Sequence, residues 1–248
     1  MTTIDALIEY MLARNAAERV ADLRIGLGYT AVLLTSGTCG VAGMLRHRLS
    51  HNACSLLSQA GTLIGTDVNR LIPLLRSSHV VETSVGLAVV NALAAQQPHQ
   101  FSDENFFDLL HIRQSDVVGI VGYIEPIVKE IRGRAKEVVV FDEAKTGLSD
   151  VCDTNLEQEL LPQCDVVILS ATSLLNNTFD ALVTMSSHAR DICVMGPSTP
   201  LLPEVFQQRG VTVLAGRHIL DSEKVLQIVS EAGGTKRFGN VTRKVILA

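Results

Sequence analysis

DVVGIV at residues 116–121, EVVVFD at 137–142, CDVVILS at 164–170, DICVMG at 191–196 and VTVLAG at 211–216 are near-continuous apolar runs of strand length. A strand with one wet face alternates apolar and polar residues, whereas an unbroken apolar run is buried on both faces, as in a parallel sheet covered by helices. Segments with helical signals lie between these runs, at 126–133, 156–161, 177–188, 203–209 and 222–232. Strands alternating with helices at this interval predict a doubly wound, Rossmann-like open parallel sheet of five strands, an α/β fold, because right-handed crossovers put helices on both faces.

Upstream the pattern changes. Ile4, Leu7, Ile8, Met11 and Leu12 stand at helical spacing behind Thr3, a candidate N-cap, and predict one amphipathic helix from Ile4 to about Arg19. VADLRIGLG, YTAVLLTS and CGVAGML follow, separated by Gly28 and Ser36-Gly37-Thr38, and read as an antiparallel meander over residues 20–45. Thr66-Asp67 can cap a helix over 68–75. Ser77 or Ser78 can cap a longer one over 80–95, with Val81, Val85, Ala88, Val89, Ala92 and Leu93 as its apolar stripe. QQPHQFSDEN, residues 96–105, is polar and contains Pro98. It reads as a linker between a smaller α+β domain, residues 1–98, and the α/β domain, residues 106–248. Limited proteolysis is expected to cut first between Gln96 and Ser115.

Of 248 residues, 47% are hydrophobic and 19% charged, enough to bury a proper core, and no apolar run reaches the length of a membrane span. The first twenty residues carry Asp5 and Glu9 and lack a secretory pattern, so a cytoplasmic protein is expected. The five cysteines are scattered without a CxxC pair, which argues against a disulfide framework or a zinc knuckle. A net charge of −5 without a basic run, and 4% aromatic residues, make nucleic acid an unexpected partner. A small polar or anionic ligand fits better; homo-oligomerisation is left open.

In an open α/β sheet, ligands bind beyond the carboxyl ends of the strands. Those ends are Gly122 to Pro126, with Tyr123 and Glu125; Asp142-Glu143; Ser170 to Ser173, with Thr172, followed by Asn176-Asn177-Thr178; Gly196 to Pro200, with Ser198 and Thr199; and Gly216-Arg217-His218. VGYIEP has one glycine where GxGxxG has three, which disfavours a dinucleotide. Gly122 before a helix start would leave backbone N–H groups facing a ligand, and Gly122→Val should block the ligand at moderate cost in stability. Asp142 stands where a ribose acceptor often lies, or is simply a solvated strand end. Asn177 with Asp180 reads as a helix cap. His47, His51 and Cys54 would share one face if that stretch is helical, and are the only local candidates for a metal. No nucleophile elbow or Cys/His motif is present, so catalysis is not assigned.

VVGIVGYIEPIV, CDVVILSATSLLNNTF, VMGPSTPLLPEVF and GVTVLAGRHILD together resemble the DUF364 family, a heavy-metal chelation domain of Rossmann-like fold. RIGLGYTAVLL, AGTLIG and VETSVGLAVVNALA resemble the DUF4213 domain that precedes it, a unit similar to the enolase N-terminal domain. The resemblance implies a role in handling a metal ion or metal complex, with a small molecule or metal complex bound in the crevice between the domains. It also implies that Glu82 and Asn91 face the GYIEP, SATSLLNN and GPST loops there. The alternative is an enzyme using a nucleotide-type cofactor.

Overall fold

The computed structural model describes residues 1–14, 17–49 and 55–248. Helix α1 (Thr3–Arg14) buries Ile4, Leu7, Ile8 and Met11, one face at helical spacing. Thr3 is not its cap: it is buried inside the helix, and its N–H donates to the Asp180 carboxylate at 3.0 and 3.1 Å. The helix stops short of Arg19, which is drawn into an antiparallel bridge with Asp67. Strands β1 (Val20–Ile25), β2 (Tyr29–Leu34) and β3 (Cys39–Gly43) then form the expected meander, ordered β1-β2-β3. The helix expected over 68–75 is two 3-10 turns, Val68–Arg70 and Ile72–Arg76. Pro73, inside it, removes a backbone donor and favours the break. In α2 (Val80–Ala94) the expected stripe is buried, but so are Leu87, Val90 and Ala94, because β2 and β3 cover one side and the turn at Ile72–Arg76 another.

The second half runs α3 (Phe106–Leu109), β4 (Val117–Val121), α4 (Glu125–Arg132), β5 (Glu137–Phe141), α5 (Glu157–Leu160), β6 (Val166–Ser170), α6 (Phe179–Met185), β7 (Asp191–Met195), α7 (Pro203–Phe206), β8 (Val213–Ile219), α8 (Ser222–Ser230) and β9 (Thr242–Leu247). The strands form one sheet in the order β5-β4-β6-β7-β8-β9. β5, β4, β6, β7 and β8 pair in parallel and β9 is antiparallel to β8. The sheet therefore has six strands rather than the five read from apolar runs. β9 escapes that test because it lies at an edge, burying Thr242, Val245 and Leu247 while Arg243 and Lys244 are exposed. Both faces of the sheet are buried. Val118, Ile120, Val166 and Ile168 pack with Val128 and Ile131 of α4, while Val167, Leu169 and Val194 join a cluster containing residues of α1, α2, α6 and α7. Among the described residues no helix is long and apolar enough to cross a membrane.

The two sheets are interlocked. Residues 96–105, read as a linker, contain no helix or strand, and Ser102 N–H donates to the Ile246 carbonyl of β9 at 2.9 Å. Helix α8 packs across the small sheet on the side away from α2: Val225, Leu226 and Val229 join Ala31, Cys39, Val41 and Phe238 in one buried cluster. Tyr29 meets the Phe238 ring edge-on at 5.1 Å.

The amino ends of the parallel strands are held by an ion pair whose carboxylate is buried and whose guanidinium is partly exposed. Asp116, next to β4, accepts the Arg113 N–H and the Arg190 guanidinium, each at 2.8 Å, and its side chain is 4% exposed. Burial alone would raise its carboxyl pKa, but the Arg190 hydrogen bond and the Arg113 N–H hold it below the usual value. A lowered folded-state pKa contributes stability that is complete above the unfolded carboxylate value and is lost as pH falls through the folded one. Asp116→Ala is expected to lower unfolding free energy by about 1–2 kcal/mol near neutrality, with a smaller difference from wild type in strong acid, both read from urea titrations.

Candidate functional site

Strand order reverses at β4, which has β5 on one side and β6 on the other. A doubly wound sheet opens a crevice at that point, beyond the carboxyl ends of the strands. A cavity lies there. Its volume is about 910 Å³, and its walls include Met44 to Arg48 from the small-sheet half and Gly122, Asp142, Glu143, Ser170 and Thr172 from the large sheet. The first wall is set by β3, which leads through Met44 and Leu45 into the 3-10 turn Arg46–Arg48.

Gly122 closes β4 with φ +98°. A Cβ at this residue would also lie 2.5 Å from Ser170 Cβ, so both conformation and packing demand glycine. The N–H groups expected to face a ligand are spoken for. Gly122 N–H donates to the Phe141 carbonyl at 2.7 Å and Tyr123 N–H to Asp142 at 2.8 Å. The second Asp142 oxygen accepts the Ala144 N–H at 2.9 Å, so this carboxylate braces the turns after β4 and β5.

Glu143 is the hub of the crevice. Arg48 grips it through two bonds, Nε at 2.9 Å and Nη2 at 2.8 Å; His47 Nε2 lies 3.5 Å away and Asn176 Nδ2 3.4 Å. The Arg48 hydrogen bond is the main reason its pKa falls below the usual range. Glu157, also on the wall, has its pKa pushed up, by burial first and by the Glu143 charge second. Ser170 and Thr172 share a hydroxyl–hydroxyl bond of 2.8 Å, and Thr178 Oγ1 donates to Asn176 Oδ1 at 2.8 Å.

Of the residues singled out in the sequence, Gly122, Asp142, Thr172, Asn176 and His47 line this cavity. Arg46, Arg48, Glu143, Glu157 and Ser170 also line it but were not among the sequence-selected ligand residues; Glu143 and Ser170 stood at strand ends already quoted, whereas nothing in the sequence pointed to Arg46 or Arg48. The other candidates lie elsewhere. Tyr123 is turned to Lys145, whose Nζ sits 4.8 Å over its ring; Glu125 is exposed on the first turn of α4. Asn177 is exposed with φ +63°, serving the turn into α6, and Asp180 caps α1 instead of its own helix. Gly196 donates to the Ala215 carbonyl at 3.0 Å. Ser198 and Thr199 are buried in the seam between the sheets, where Ser198 Oγ accepts the Gly43 N–H at 2.7 Å and Thr199 Oγ1 donates to the Ala215 carbonyl at 3.1 Å. Asn91 bridges that seam, donating to the Val41 and Ser198 carbonyls at 2.7 and 3.1 Å; with Thr199 it lines a separate cavity of about 20 Å³. Glu82 is bound to the Ser77 hydroxyl near the start of α2, away from the crevice.

The metal candidates divide. His51 and Cys54 lie outside the described residues; His47 is present, and the helical path after it breaks at Leu49, which is extended. Among the described residues no three His, Cys, Asp or Glu side chains are grouped to hold a metal ion. Burial pushes the Cys39 and Cys164 thiols up to about 12 and raises Cys193 as well, away from the thiolate form that binds metal. The described residues thus do not fit direct chelation of a bare ion.

A two-sheet α/β protein with a ligand-sized crevice at the strand-order reversal is what the geometry defines. The chain belongs to the DUF364 family, described as "Putative heavy-metal chelation", whose model matches residues 105–248; the DUF4213 model, of the same description, matches 4–94. An uncharacterized protein of Methanocaldococcus jannaschii is 27% identical over 234 residues, 91% of this chain and 88% of that one. A crystal structure of a DUF364-family protein of unknown function from Pyrococcus horikoshii superposes with a TM-score of 0.87 at 23% identity, covering 99% of both chains. Another, from Desulfitobacterium hafniense, gives 0.82 at 22%, covering 98% of this chain and 97% of that one. These structures establish the fold.

The contact of Gly122 with Ser170 and its positive φ bear on the expectation that enlarging Gly122 costs only moderate stability. Gly122→Ala is expected to lose at least about 2 kcal/mol of stability from the positive φ and the clash combined. Ser170→Gly in that background should restore part of the loss. Strictly additive losses in the double-mutant cycle would show that the two residues do not press on each other.

Proposed function

We propose that the chain binds a small polar molecule or a metal complex in the crevice, in the service of handling a metal or a metal-containing cofactor. Residues 1–98 and 106–248 are read as the two domains that meet there. The observation that carries this reading is the cavity of about 910 Å³ at the strand-order reversal, walled from both halves of the chain. That volume suits a molecule of tens of atoms better than a bare ion. The family description supports metal handling, and the crevice supports a metal that arrives already chelated: Asp142 accepts two backbone N–H groups and Glu143 is gripped by Arg48. The alternative, an enzyme with a nucleotide-type cofactor, draws less support. Its ribose acceptor would be Asp142, which the Tyr123 and Ala144 N–H groups already occupy.

A thermal-shift screen of divalent metals, nucleotides and tetrapyrrole precursors tests the location. Ala144 is an exposed residue of the cavity wall, so Ala144→Trp should fill the crevice without disturbing a core. The expected outcome is a compound that raises the wild-type Tm and leaves that of Ala144→Trp unmoved. An equal rise in both proteins would place binding elsewhere.

A further inference from the structure

A hydrogen-bond account of the crevice leaves donors without acceptors. Its most obvious acceptors are committed, Asp142 to two N–H groups and Glu143 to the bidentate Arg48 and to Asn176. On the donor side, Arg46 lines the cavity, and among the described residues its guanidinium forms no ion pair. Residues 15–16 and 50–54 include no Asp or Glu that could supply one. Ser170 and Thr172 spend one hydrogen on the bond between them; whichever donates, the other hydroxyl keeps a hydrogen to give. Glu157 is the remaining carboxylate, and burial, with the Glu143 charge beside it, raises its pKa.

We propose that the crevice selects a ligand bearing an oxyanion, a carboxylate or a phosphate, with Arg46 as its charge contact and the Ser170–Thr172 pair as its hydroxyl donor. Any metal then travels inside such an anion. This assignment rests on the crevice being the binding site. A bare divalent cation would meet the Arg46 guanidinium, which is repulsive to it, and carboxylates that already accept hydrogen bonds. An oxyanion receives a charge-assisted contact from Arg46 and a further bond from the hydroxyl pair.

Isothermal titration at low ionic strength with pyrophosphate, citrate, zinc chloride and nickel chloride, each alone, tests it. At least one of the two anions should bind wild type, more weakly as salt is added, and which one binds separates phosphate from carboxylate chemistry. Arg46→Ala should weaken that binding roughly tenfold or more, Arg46→Lys less, and Ser170→Ala/Thr172→Val several-fold. Arg46 is exposed, so its variants should melt as wild type does and remain informative if the double variant folds poorly. The proposal is overturned if neither anion binds wild type, if anion affinity is unchanged in Arg46→Ala, or if the metal chlorides bind tightly and the anions do not. Ala144→Trp separates the two levels. Loss of anion binding there, with none in Arg46→Ala, rejects the Arg46 assignment and keeps the crevice; retention in both rejects the crevice as well.

Discussion

The last residue of β3, Gly43, is clasped on both sides of its peptide. Its N–H donates to Ser198 Oγ at 2.7 Å, its carbonyl accepts from Ser84 Oγ at 3.0 Å, and a Cβ there would lie 3.2 Å from Thr172 Cγ2. The small sheet is thereby docked, backbone first, against two loops of the large one. Because the chain runs from Gly43 through Met44 and Leu45 straight into Arg46, His47 and Arg48, this docking decides which residues look down on the carboxyl ends of β4 and β6. A Cβ at Gly43 would require the Thr172 and Ser198 side chains to give by a few tenths of an ångström.

The Arg48–Glu143 pair closes the same junction from the solvent side, linking residues 95 apart in sequence. With side chains 37% and 42% exposed it contributes little to stability. Its consequence is electrostatic: it offsets the Glu143 charge at the crevice wall.

The large sheet was legible because burial on both faces writes itself into composition, as in VVILS of β6, where Val166 and Ile168 face one side and Val167 and Leu169 the other. β9 was not, since TRKVIL mixes exposed cations with buried residues at a sheet edge. The strand ends were also legible, but the sequence treats all of them alike. Gly122 and Thr172 line the crevice whereas Ser198 and Thr199 are in the seam, a distinction set by strand order, which pairing rather than composition determines. Arg46 and Arg48 were hidden for a different reason: two arginines on a short 3-10 turn look like any solvated surface until β3 is placed.

Helix α8 covers one face of a sheet whose strands precede it by some 180 residues, with Val225 and Val229 against Ala31 and Val41. A ribosome adding about 5–20 residues per second leaves roughly ten to forty seconds between the emergence of that face and of its cover. During that interval an apolar sheet surface stands bare on the nascent chain, open to chaperones and to other nascent copies. Arrival of residues 222–230 ends the exposure, so a ribosome stalled before this point would release a chain with the crevice-forming strands made and the small sheet still sticky.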